Sequence, residues 1–173
     1  MFKDSYNIVI VGGGSTWTPG ILKALTKHKD KLALKKVVLY DIDEERQSYI
    51  GEFGKILFKE EYPEVDFSYT TVKEEAYKDV DFVFCQMRTG GYPMREKDEH
   101  IPLSLGVIGQ ETCGPGGFAY GIRSIKDMVE MVQDVRKYSP DAWILNYTNP
   151  AAIVAYALKK VFPNDEKIIN ICD

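Results

Sequence analysis

The sequence predicts a doubly wound α/β fold, a parallel sheet with helices on both faces. Three observations point there. Short apolar segments rich in β-branched residues alternate with stretches of helical periodicity, those segments are apolar on both sides, and three consecutive glycines follow the first of them. Strands buried on both faces belong to parallel sheets, because the crossover helices that join parallel strands cover both sides.

Strands are expected at residues 6–11, 37–40, 66–70, 82–85, 143–146 and 168–172, and helices at 20–28, 44–62 and 122–138. Ile122, Ile125, Met128, Val132 and Val135 recur at helical spacing and predict one buried stripe for the last helix. A further helix is expected from Pro150 through Leu158, since proline suits a first helical turn and Ala151-Ala152 favours propagation. Residues 89–120 hold ten glycines and prolines and read as a long irregular segment on the rim of a site.

At 173 residues the chain is long enough for one domain with a substantial core. Its 22 Lys and Arg against 26 Asp and Glu leave a formal charge of -4, which offers no global attraction for nucleic acid or an anionic membrane. No apolar run approaches the about 18 residues of a membrane span, and no secretory leader is visible, so a cytoplasmic location is the expectation. Cys85, Cys113 and Cys172 are odd in number and far apart, which suggests neither a disulfide framework nor a zinc knuckle.

The stretch "VIVGGGSTWTPGIL" carries the first chemistry. Without Cβ atoms, Gly12, Gly13 and Gly14 let the backbone turn sharply after the first strand and approach a bulky anion, while N–H groups at the following helix start point toward the charge. Gly12 to Gly14, with Ser15 and Thr16, are therefore candidate cofactor-binding residues. The formal G-x-G-x-x-G pattern is incomplete, because its third position falls on Trp17. The next strand ends in "LYDID", where Asp41 is a candidate acceptor for adenosine ribose hydroxyls; alternatively it caps a turn. Its distance from Gly12 exceeds the usual interval of about 20 residues. Strand, glycine turn, helix, strand and acid in this order predict a Rossmann-like domain over residues 1–173, and the acid favours NAD over NADP.

Ligands of such sheets collect beyond the carboxyl ends of the strands. Ser15, Gln86, Arg88, Asn146, Thr148, Asn149, Cys172 and Asp173 would converge there and suit a polyhydroxylated or phosphorylated substrate. Arg88 and Arg95 read equally as ligand-binding or as salt-bridged loop residues, and Glu111 as a hydroxyl acceptor or a solvated side chain. His100, in a charged run, reads as a surface residue.

The segments "IVGGGSTWTPGIL", "LYDIDEERQ", "MREKDEHIPLSLGVIGQETCGPGG", "WILNYTNPAAIVAYA" and "NICD" together resemble the NAD- and manganese-dependent enzymes of glycoside hydrolase family 4, and within them the 6-phospho-α-glucosidases. The resemblance spans essentially the whole chain. It implies hydrolysis of 6-phospho-α-glucosides such as maltose 6'-phosphate by an oxidation-elimination route. NAD⁺ takes hydride from sugar C3, a base removes the acidified C2 proton, the glycosidic oxygen leaves with an acid's help, water adds at C1, and NADH returns the hydride. Mn²⁺ would hold the sugar oxygens and stabilise enolate charge.

By the same resemblance Cys172 is a metal ligand and Asp173 the catalytic acid. Ser15, Arg95, Glu111 and Asn149 face the phosphorylated sugar, while Gly12, Gly13, Gly14, Ser15, Thr16 and Asp41 serve the cofactor. The family's metal-binding histidine and tyrosine base lie beyond the cysteine motif, so the chain is expected to match the amino-terminal two-fifths of such an enzyme, to be inactive alone, and in its full-length form to associate with copies of itself. Aspartate after the cysteine marks the α-glucoside subclass, where β-glucoside relatives carry asparagine and α-galactosidase relatives histidine. Two other readings stay open: an NAD-dependent dehydrogenase of a sugar or hydroxy acid, and an NAD-binding module without activity.

Overall fold

The computed structural model describes residues 3–172. Six strands, β1 (Tyr6–Val11), β2 (Leu34–Tyr40), β3 (Asp66–Thr70), β4 (Phe82–Cys85), β5 (Trp143–Asn146) and β6 (Ile168–Asn170), form one parallel sheet in the order β3-β2-β1-β4-β5-β6. The order reverses between β1 and β4. That is the switch point at which open α/β sheets bind ligands. Val11 pairs with Tyr40 on one side and Cys85 on the other, so the three segments that carry the glycine turn, Asp41 and Gln86 end level with one another.

The strand period of two divides the core. Val9, Val11, Val38, Tyr40, Val83, Cys85 and Ile144 point to one face. There they meet α3 (Lys73–Tyr77), α5 (Gly114–Tyr138) and α6 (Ala151–Val161). Ile8, Ile10, Val37 and Leu39 point to the other, against α1 (Thr18–Lys27) and α2 (Glu44–Glu61). Asp43 caps α2 by accepting a hydrogen bond from the Arg46 N–H at 2.9 Å, and Glu44 and Glu45 complement the positive end of the helix dipole. Helix α4 (Gly91–Ser104) lies outside these layers and packs on α5. No helix among the described residues is long and apolar enough to cross a membrane.

The expected fold class stands, with local corrections. Residues 89–120 are largely helical: α4 and the first two turns of α5 occupy most of the segment. Their glycines and prolines punctuate helix ends instead of preventing helices. Gly90 (φ 84°) precedes α4, Pro102 sits in its last turn, and Gly106 (φ 72°) follows it. Pro115 occupies the first turn of α5, where a missing N–H costs nothing. With α5 starting at Gly114, its buried stripe runs through Tyr120, Ser124, Met128, Val132 and Val135, and Ile122 is exposed. Helix α3, five residues long, was too short for a periodic pattern. Strand β2 begins three residues early, and β6 ends at Asn170, so Cys172 lies beyond the strand.

Candidate active site

The glycine turn is held from both sides. The Gly12 and Gly13 N–H groups both donate to the Tyr40 carbonyl at 2.9 Å, and Ser15 N–H closes the turn on the Gly12 carbonyl at 3.0 Å. Gly12 has φ 83°, and a Cβ there would stand 2.9 Å from the Gln86 carbonyl oxygen. At Gly13 a Cβ would stand 2.7 Å from Leu39 Cβ. Only glycine lets the end of β1 pass between its two neighbouring strands in this conformation. Gln86 then ties the turn to the next helix: its Nε2 donates to Thr18 Oγ1 at 2.8 Å and to the Gly12 carbonyl at 3.4 Å. Thr18 is fully buried, whereas Trp17 is exposed. The contact that a third glycine makes in the full motif is thus made one residue later by a hydroxyl.

Asp41 combines both of its expected readings. Its Oδ2 accepts from Gly14 N–H at 2.9 Å and its Oδ1 from Asp43 N–H at 3.1 Å, and it lines a cavity of about 900 Å³. A carboxylate has about four acceptor positions, so two bonds to the turns leave room for ribose hydroxyls. Gly12 and Ser15 line the same cavity; Gly13 and Gly14 are buried, and Thr16 is exposed outside its wall.

The cavity continues past the carboxyl ends of β4 and β5, where it is walled by Gln86, Arg88, Arg95, Glu111 and Asn149. A polar lattice fixes this end. Asn146 donates to Asn170 Oδ1 at 2.9 Å and accepts from Thr148 N–H at 2.9 Å, while Thr148 Oγ1 accepts from Met87 N–H at 3.1 Å. Asn146 and Thr148 are buried and structural; Asn149 is the member of the trio that reaches the cavity. Cys85 is fully buried, and burial pushes its thiol up to about 11, so it is a small core residue.

Glu111 is gripped by two guanidinium groups. Arg88 Nη1 and Nη2 donate to its two oxygens at 2.8 and 3.4 Å, and Arg95 Nε lies 3.0 Å from Oε2. Arg95 Nε also donates to Glu99 at 2.8 Å. Burial disfavours the charge on Arg88, but the Glu111 hydrogen bond and the Tyr120 and Glu111 charges outweigh it and hold the guanidinium above its ordinary value. Arg95 is likewise raised, chiefly by Glu99. The hydrogen bond and the shortest ion-pair contacts of Arg95 run through Nε, and its terminal nitrogens donate no hydrogen bond among the described residues, which leaves a planar donor pair on a cavity-lining residue.

Behind Glu111 stand residues that the sequence alone did not single out: Tyr120, Arg123 and Asp98. Asp98 lies on α4 and Tyr120 in the first turns of α5, both within the stretch read as loop, so the i, i+3 spacing of Tyr120 and Arg123 carried no signal. His100 is exposed on α4, as expected. Cys172 is exposed, next to the cavity-lining Ile171. Asp173 lies outside the described residues. Among the described residues no three His, Cys, Asp or Glu side chains come together to hold a metal.

Residues 7–173 match the sequence pattern of the Family 4 glycosyl hydrolases. The chain belongs to this family. It is 56% identical over 169 residues to the phospho-alpha-glucosidase PagL of Clostridium acetobutylicum, covering 97% of this chain and 38% of that protein. With the maltose-6'-phosphate glucosidase of Bacillus subtilis the identity is 54% over 173 residues, covering 100% and 38%. Among solved structures, a 6-phospho-alpha-glucosidase from gut microorganisms in complex with NAD and Mn²⁺ superposes with a TM-score of 0.97 at 64% identity, covering 98% of this chain and 39% of that one. The family-4 chain described here therefore spans about two-fifths of the length of the curated relatives it matches.

Proposed function

We propose that the whole protein hydrolyses 6-phospho-α-glucosides, with maltose 6'-phosphate as a representative substrate and NAD and Mn²⁺ as cofactors, and that this chain forms its dinucleotide-binding domain. One observation carries the reading: a single cavity joins the glycine turn and Asp41 to Arg95, Glu111 and Asn149. A sugar and a dinucleotide held in it would share one space. The relatives named above support the substrate class.

The turn fits a dinucleotide. A cradle in which Gly12 and Gly13 leave no room for Cβ atoms lets a pyrophosphate approach the backbone, and Asp41 keeps acceptor positions for the adenosine ribose. When bound, the nicotinamide supplies a hydride acceptor for sugar C3 that is regenerated in each turnover. Ser15 and the terminal nitrogens of Arg95 bind the sugar phosphate, a task suited to a hydroxyl and a planar guanidinium. Glu111 and Asn149 orient sugar hydroxyls. The described residues do not make a metal site by themselves; Cys172 contributes one ligand to a site completed elsewhere in the whole protein, and Asp173 protonates the leaving oxygen. A cytoplasmic location and self-association of the whole protein complete the proposal.

The test uses the whole protein with maltose 6'-phosphate, NAD⁺ and Mn²⁺. Glucose 6-phosphate is released without net NADH accumulation. Release that persists without any nicotinamide cofactor overturns the reading, and stoichiometric NADH from a sugar or hydroxy acid points to a dehydrogenase instead. The 173-residue chain alone binds NAD⁺ in calorimetry but shows no detectable turnover.

A further inference from the structure

The Arg88–Glu111 pair is one end of a longer stack. Two guanidinium groups, those of Arg88 and Arg123, stand against the phenol ring of Tyr120, each 5.4 Å from its centroid, and the ring is almost fully buried. Two cations against one buried ring repel unless each has its own counter-charge. Glu111 serves Arg88. Asp98 serves Arg123, accepting from its two terminal nitrogens at 2.6 and 3.3 Å. The two carboxylates are well shielded, with side chains 14% and 5% exposed.

The stack also fixes the backbone that carries it. Arg123 Nε donates to the carbonyl of Thr89, the residue after Arg88, at 3.2 Å, and Thr89 Oγ1 donates to Asp127 on α5 at 2.7 Å. Glu111, Arg88, Tyr120, Arg123 and Asp98 thus form two ion pairs that share one ring and join four pieces of chain: the exit of β4, α4, the loop before α5, and α5 itself. Glu111, Arg88 and Tyr120 line the cavity, whereas Asp98 and Arg123 do not.

We propose that Arg88, backed by Tyr120 and Arg123, is a positioning residue that holds the Glu111 carboxylate in its working orientation toward the sugar; the inference rests on the reading of this cavity as a 6-phosphoglucoside site. A guanidinium grips both carboxylate oxygens in one plane while lying on an aromatic face, and a lysine ammonium, a point charge, cannot do both at once. Arg95 has a different task. Its shortest contact with Glu111 is through Nε, and its terminal nitrogens, which donate no hydrogen bond among the described residues, serve the ligand.

The experiment is a double-mutant cycle in the whole protein with NAD⁺, Mn²⁺ and maltose 6'-phosphate. Arg88→Lys lowers kcat about 30- to 100-fold, the scale of a misplaced catalytic contact, while NAD⁺ affinity and Tm stay close to those of the unchanged protein. Adding Arg88→Lys to Glu111→Gln costs no more than about 3-fold further, because the two act as a unit. Tyr120→Leu, which removes the ring and keeps both ion pairs, lowers kcat in the same direction and serves where the Arg88 variant folds poorly. Activity of Arg88→Lys equal to that of the unchanged protein, or losses that multiply in the double variant, overturn the positioning role. If the unchanged protein hydrolyses no 6-phosphoglucoside, the functional reading fails by itself. The same cycle on glucose 6-phosphate binding then decides the matter: coupled losses sustain the positioning role and independent losses overturn it.

Discussion

The two ends of the cavity are built from different materials. At the β1–β2 end the contacts are backbone: N–H groups of a glycine turn, a strand carbonyl that accepts twice, and one carboxylate bonded to the turns. At the β4–β5 end they are side chains, with three guanidinium groups and three carboxylates in ion pairs and two of the guanidinium groups against one ring. A backbone site is set by shape, so steric change destroys it and salt hardly touches it. A side-chain site is set by charge and by the packing that aims it, so it tolerates small shifts and answers to ionic strength. A dinucleotide offers the same pyrophosphate every time and suits the first. A phosphorylated sugar must be oriented atom by atom, and suits the second.

The sharpest way to break this comparison is at Gly12. Gly12→Val puts a branched side chain at φ 83° with its Cβ 2.9 Å from a backbone carbonyl that cannot swing away. Loss of NAD⁺ binding by more than about 100-fold is expected, together with about 1–3 kcal/mol of stability from the strained backbone. Calorimetry and chemical unfolding of the same variant measure both, and NAD⁺ affinity within a few fold of the unchanged protein would remove the glycine turn from the cofactor site.

Arg95→Ala probes the other end. Sugar-phosphate affinity falls about 50- to 100-fold, on the scale of about 2–3 kcal/mol for a charge-assisted pair. NAD⁺ affinity changes less than about twofold, and the sugar affinity of the variant depends less steeply on salt. Equal losses for both ligands would mean that the two ends are not separate sites.

How much of this was legible in the sequence differs between the ends for the same reason. The glycine turn was readable because its geometry is local: Gly12 to Gly14 follow a β-branched strand, and a turn that needs positive φ has few residue types available. Strands β1, β4 and β5 were readable to the residue as short, mainly apolar runs, and β3, Asp-Phe-Ser-Tyr-Thr, by its alternation of polar and aromatic residues. Arg95, Glu111 and Asn149 were candidates by position, with their sugar-facing role implied only by the family resemblance, and they do line one cavity. The stack behind Glu111 was not readable. Asp98, Tyr120 and Arg123 are ordinary residues made special by tertiary contact, and the glycines around them disguised two helix starts as one long loop. Asp41 shows an intermediate case: its place at the end of β2 was local knowledge, but its bond to Gly14 across the turn was not.

Asp41→Asn sharpens the comparison from within the backbone site. The substitution keeps one acceptor for Gly14 N–H and removes the negative charge. NAD⁺ affinity is expected to fall about 10-fold, roughly 1.4 kcal/mol, and discrimination against NADP⁺ to narrow, since the carboxylate no longer repels a ribose phosphate. Paired titrations with the two cofactors measure this. An unchanged NAD⁺/NADP⁺ ratio would leave Asp41 with the turn alone.

The smallest expected effect comes from an ion pair that, like Arg88–Glu111, is two-pronged, but that is made side-on and has no cavity in front of it. Arg136, at the end of α5, donates through Nε and Nη2 to Asp165 at 2.6 and 3.0 Å and through Nη1 to the Ala142 carbonyl at 2.8 Å, which ties the helix end to the entries of β5 and β6. Burial raises the Asp165 pKa, but the Arg136 hydrogen bond and the Lys167 N–H outweigh it and leave it below the ordinary 3.8. The sign follows. A carboxyl depressed in the folded state binds fewer protons there than in the unfolded chain, so its stabilisation is present above the unfolded value and is lost as pH falls through the folded one. Asp165→Asn therefore costs about 1 kcal/mol at neutral pH, the scale for a partly exposed charged pair, and the gap from the unchanged protein closes below about pH 4. Activity and affinity for both ligands stay unchanged, because neither residue lines the cavity. Tm followed against pH for the two proteins measures the closing gap. A gap that persists at low pH would assign the contribution of Asp165 to packing, and an altered sugar affinity would show that the ion-pair grammar of the active site extends to the far end of α5.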